Sequence, residues 1–118
     1  MKISTKKIFF LITIVLFVRC STLPTPPSGT IEVDKMAQIL AEVHLTESKL
    51  SKLSFQNYDS SKVAYRELES RLFKKYSVDS LTYRKSFDFY TTQPEYMVKI
   101  YEKVDKILDE KKKKKQLD

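Results

Sequence analysis

Apolar side chains recur every three or four residues through almost the whole of residues 31–110, and nowhere do they alternate with period two for long. That spacing matches the 3.6-residue turn of a helix and predicts an all-α fold, a small bundle of about four amphipathic helices. In the first, over residues 31–53, Val33, Met36, Ile39, Leu40, Val43 and Leu50 fall in one stripe. Phe55 to Asp59 reads as a polar loop, with Asp59 or Ser60 as the N-cap of a second helix running from about Ser61 to Tyr76. That helix turns Tyr65, Leu68, Leu72, Phe73 and Tyr76 to one side. Asp79 or Ser80 can cap a short third helix presenting Tyr83, Phe87 and Tyr90. Pro94 suits the first turn of a fourth, in which Met97, Ile100, Tyr101, Val104, Ile107 and Leu108 form one face. Four such stripes can bury a modest core. Most of the seven tyrosines fall on these apolar faces, where their hydroxyls suit a core margin or a shallow groove better than a dry interior.

The helical pattern does not extend to the N-terminus. Lys2, Lys6 and Lys7 precede an apolar run from Ile8 to Val18, which Thr13 alone interrupts. As a helix these eleven residues would span roughly 16 Å against a bilayer core of roughly 30 Å, too short for a permanent crossing. A cationic start, a short apolar run and a small-residue exit together read as a signal peptide over residues 1–19. At Arg19-Cys20-Ser21 the chain resembles a bacterial lipoprotein signal, whose cysteine becomes the first residue of the mature protein and carries acyl chains. Phe17 and Arg19 stand where that pattern has a leucine and a small residue. The alternatives are export with cleavage but no lipid, and a retained signal anchor. Residues 20–30, with three prolines and one glycine, exclude helix or central strand and read as a flexible tether. In some Gram-negative phyla, lipoproteins routed to the outer cell surface resemble one another in an acidic stretch soon after the cysteine. None precedes Glu32 here, which points to a periplasm-facing domain in the cell envelope.

The formal charge of +7 suggests nucleic acid until it is located. Residues 1–19 hold four basic residues and no acid, and residues 111–118 hold five lysines against one aspartate. The intervening residues hold 13 Lys/Arg against 14 Asp/Glu, so the domain of residues 31–110 has no basic surface of its own. A nucleic-acid partner is not expected. The lysine-rich tail, Lys111, Lys112, Lys113, Lys114 and Lys115, is either a solvated charge run or a contact with anionic headgroups. One cysteine and one histidine exclude an intrachain disulfide, a multi-cysteine metal site and paired-histidine ligation, and a single glycine excludes a phosphate-cradling loop. Neither cofactor nor metal is expected.

Glu47 breaks the first helix's stripe between Val43 and Leu50, His44 lies one turn earlier at its edge, and Glu69 intrudes beside Tyr65 and Tyr76. Burying a carboxylate demands a donor, so His44, Glu47 and Glu69 are expected to form a buried polar network that fixes helix register. The alternative is an acid/base or ligand-binding site in a small enzyme. No activated nucleophile or third ligand is marked, so no catalytic residue is assigned and a non-enzymatic binding or scaffolding module is expected.

Four segments carry a family resemblance: Met36-x-x-Ile39-Leu40-x-Glu42-x-His44-Leu45-x-Glu47; Phe73-Lys74-Lys75-Tyr76-Ser77-Val78-Asp79-Ser80; Ser86-x-x-x-Tyr90-x-x-x-Pro94; and Ile100-Tyr101-x-x-Val104. In order and spacing they resemble the small Bacteroidota lipoproteins catalogued as domain of unknown function 4296. The resemblance spans about residues 31–108 and implies an exported, lipid-anchored helical domain. It implies no activity. The partners expected are the membrane, through the N-terminal lipid, and a protein of the envelope.

Overall fold

The computed structural model describes residues 22–54 and 57–117, so the expected signal peptide, Cys20 and the start of the expected loop at Phe55 and Gln56 lie outside it. Four helices follow one another: α1 Val33–Leu50, α2 Tyr58–Lys75, α3 Ser80–Thr91 and α4 Pro94–Leu117. There is no strand among the described residues, and no helix among them is long and apolar enough to cross a membrane.

Each helix starts and stops for a local reason. Asn57 caps α2, its Oδ1 accepting from the Ser60 amide at 2.8 Å and the Ser60 hydroxyl at 2.9 Å. The sequence pointed instead to Asp59 or Ser60. Asp59 sits in the first turn, where a carboxylate complements the helix dipole without capping. α2 ends in a Schellman motif: the Val78 amide reaches the Phe73 carbonyl at 3.0 Å and the Ser77 amide reaches that of Lys74 at 3.1 Å. Ser77 takes the left-handed conformation this demands, at φ 51°, where glycine is usual. Asp79 caps α3 as expected, accepting from the Thr82 amide at 2.8 Å and its hydroxyl at 2.6 Å. Pro94 begins α4 after the amides of Tyr96 and Met97 have turned onto the Gln93 carbonyl. α1 ends at Leu50, three residues earlier than its periodicity suggested. Lys52 and Leu53 close a tighter turn on the carbonyls of Lys49 and Leu50.

α1 is the central element, packed on α4 and on α2, while α3 lies against α4. Met36, Ile39 and Ile100 are wholly buried, with Leu40, Leu72, Phe73, Tyr90 and Val104 around them. Direction follows from the ion pairs. Lys103 meets Asp34 at 2.7 Å and Lys111 meets Glu42 at 2.5 Å, each partner advancing eight residues, so α4 runs the same way along α1. α2 returns antiparallel, bringing Lys75 to Glu42 at 3.2 Å.

The proline-rich segment is not a free tether over its described length. Ser86 is 1% exposed, and its hydroxyl accepts from the Ile31 amide at 2.9 Å. The Tyr90 hydroxyl donates to the Ile31 carbonyl at 2.6 Å, and that of Tyr96 to the Pro24 carbonyl at 3.1 Å. Gly29, at φ 83°, makes the turn that lets the Thr30 amide reach back to Pro27. Residues 24–31 are thus strapped to the junction of α3 and α4.

Candidate functional site

Two places gather the polar residues. The first is a clasp around Glu42, whose side chain is 22% exposed on the flank of α1. The ammonium groups of Lys75 from α2 and Lys111 from α4 both reach its Oε1. The Lys111 hydrogen bond leads in holding the Glu42 carboxyl below its ordinary value of 4.5, with the Lys75 bond helping and partial burial opposing. Lys111 therefore belongs to the domain, whereas Lys112 to Lys115 are exposed on the last turns of α4. From sequence Glu42 stands out only within the family resemblance, since it lies off the apolar stripe. Its signal was the lysines on other segments, which no periodicity connects.

A carboxylate with a lowered pKa stabilises the fold when ionised. That contribution is complete above the ordinary carboxylate value and disappears as pH falls through the lowered one. Glu42→Gln should accordingly cost about 1 kcal/mol at neutral pH, the scale of two partly exposed ion pairs. The gap in urea midpoint between the variant and the wild-type protein should be full at pH 7 and shrink as pH falls below the ordinary carboxylate value of 4.5, as Glu42 takes up its proton. A gap that does not change between pH 7 and the acid limit of folding would assign the loss to packing.

The second place is the cleft on the other side of α1, and here the expected sealed network is corrected. The His44 and Glu47 side chains are 39% and 51% exposed, with Nδ1 and Oε2 3.5 Å apart. Glu69 is half-buried, and no lysine, arginine or histidine pairs with it among the described residues. The stripe carries Glu47 to the core side of α1, but α1's last turns run past the core, so the carboxylate stays in water. Tyrosines fill this side instead. The His44 and Tyr101 rings lie 6.1 Å apart, and Tyr83 packs on Phe73 at 4.9 Å. Burial first, then the neighbouring Tyr65 and the carboxylates of Glu69 and Glu47, push the Tyr83 hydroxyl up to about 12. Burial also raises Tyr65, with Glu69 and Glu47 adding to it. Both hydroxyls hold their protons, so they can donate hydrogen bonds and are poor bases at neutral pH. No group of three or more metal-ligating side chains occurs among the described residues.

Beyond this cleft, the open end of the α1–α2 hairpin forms a groove of about 560 Å³. Leu50, Leu53, Tyr58 and Tyr65 supply its apolar lining, and Glu47 and Lys62 bring opposite charges to it. Tyr58 is 78% exposed and Leu53 58%, a large apolar surface to leave in water on so small a domain. His44 does not line it.

The domain of unknown function 4296 matches residues 27–114. The chain belongs to that family. No curated protein and no solved structure matches it. The match begins at Pro27 and so takes in part of the strap as well as the four helices. The residues that carry the 4296 resemblance are the joints of this fold. Glu42 and Lys75 form the clasp, Ser77 to Asp79 the turn into α3, and Ser86 and Tyr90 the grip on the strap.

Proposed function

We propose that the protein is an exported, lipid-anchored helical module of the cell envelope, periplasm-facing, that binds a protein partner at the α1–α2 end and has no catalytic activity. The observation that carries the binding role is the open groove with Leu53 and Tyr58 exposed on its rim. It suits an apolar side chain of a partner, and Glu47 and Lys62 offer charges that fix how the partner lies. Anchoring is supported by the cationic start, the short apolar run and the position of Cys20. A small enzyme built on His44 and Glu47 is the weaker reading, because the two side chains are solvated and do not converge on an enclosed pocket.

The test is capture from detergent-solubilised membranes with the wild-type protein and with Leu53→Asp and Tyr58→Ala. Both positions are exposed, so the variants should keep their helical circular dichroism. A partner held by the wild-type protein and lost, at least tenfold, from both variants supports the groove. Capture of the same partners at the same yield by all three would exclude it.

A further inference from the structure

We infer that the strapped end of the domain is its membrane-facing base, seated on the bilayer, and that the lysine-bearing end of α4 is held out of reach of the headgroups. This rests on the anchored reading above and adds an orientation to it. Three observations carry it. First, the leash is short: Ser21, Thr22 and Leu23 alone separate Cys20 from Pro24, whose carbonyl is bound by Tyr96 at the start of α4. Four Cα steps reach at most about 14 Å. Second, α4 is a single helix from Pro94 to Leu117, which puts Lys112 about 24 Å and Lys115 about 28 Å beyond Tyr96 along its axis. The charge of a headgroup surface is screened over about 8–10 Å, so lysines held upright at that distance feel little of it.

Third, the two ends differ in what they present. The base carries Tyr96 with the Lys99 ammonium 6.0 Å from its ring centre, and Lys85 beside the strap and Phe89. Amphipathic rings and long cationic side chains suit a headgroup layer. The flank of α4 that would meet the bilayer if the domain tipped over carries Glu95, Lys99, Glu102, Lys106 and Asp109, all exposed. From Glu95 to Asp109 its charges nearly cancel and no apolar stripe runs along it, so only the tail lysines could draw α4 flat, which is why the test includes an anionic mixture. α1 runs the same way as α4, and its 18 residues span about 26 Å, so the α1–α2 groove also faces away from the bilayer. The lysine tail, read from sequence as a candidate lipid contact, is then presented to whatever approaches the groove.

The test uses the full chain, purified from membranes with its lipid and reconstituted into vesicles. Cys20 is the single cysteine and its thiol is taken up by the lipid, so Thr92→Cys and Lys114→Cys each accept one fluorophore. Vesicles carry a quencher on the headgroup, in a neutral and an anionic lipid mixture. The base label should be quenched several-fold more than the tail label in both mixtures. Equal quenching, or tail quenching that rises to the base level in anionic vesicles, keeps the anchor and overturns the orientation. Protein that fails to float with the vesicles has no anchor, and the proposal falls with it.

Discussion

Cys20→Ala should abolish fatty-acid labelling and move the protein from the membrane to the soluble fraction, an all-or-none change. Acylation binds by burying methylene groups, each contributing about 0.8 kcal/mol, so removing the attachment atom removes the whole term at once. Nothing among the described residues can replace it. The run from Ile8 to Val18 is too short to span a bilayer, and no described helix is long and apolar enough to do so. The measurement is metabolic labelling with a clickable fatty acid, followed by fractionation. Equal labelling of both proteins would mean that Cys20 is not the acylated residue. A wild-type protein that is unlabelled yet membrane-bound would mean that the apolar run is retained as an anchor. On the proposed anchored reading, Phe17 and Arg19 bear on how fast the signal is processed, and Cys20 bears on whether the lipid has a place to go.

The helices were legible because each buries one stripe, and a stripe is a local pattern with a fixed period. Asp79 and Pro94 were legible for a related reason, since a cap acts within three residues of itself. What the sequence hid is long-range pairing. Tyr90 and Ile31 are 59 residues apart, and Tyr96 and Pro24 are 72 apart. Proline-rich composition says that a segment cannot be helix, but not whether its carbonyls find donors. The strap was therefore read as free chain. Glu47 failed for another reason. Periodicity gives the angle of a side chain about its helix, but not whether a neighbour covers that turn. In the first half of α1 the angle decides burial, as Met36 and Ile39 show. Near its end the partner helices have diverged, and the same angle leaves Glu47 in a groove. The lysine run divided similarly: Lys111 met a carboxylate from α1, while Lys112 to Lys115 met solvent.

Tyr90 is where the strap and the core share one side chain, and its replacement is expected to have the largest effect on folding. The residue is 1% exposed; its ring packs on Phe89 at 5.4 Å and Tyr96 at 5.4 Å, and its hydroxyl holds Ile31. Tyr90→Ala removes a buried ring and should cost about 3–5 kcal/mol, a large part of the stability of so small a domain. Tyr90→Phe keeps the ring and leaves the Ile31 carbonyl without its donor, at about 1–3 kcal/mol. The phenylalanine variant separates the two roles. If the strap is a working part of the fold, hydrogen exchange in Tyr90→Phe should accelerate at the Thr30 and Ile31 amides while the amides of α2 keep their protection. Ser86→Ala, which strips the partner of the other backbone group of Ile31, should accelerate the same two. Should both variants unfold in urea at the wild-type midpoint with the strap still protected, the grip on Ile31 contributes nothing. The shortness of the leash from Cys20, and the orientation argued from it, would then rest on the hold of Tyr96 on Pro24 alone.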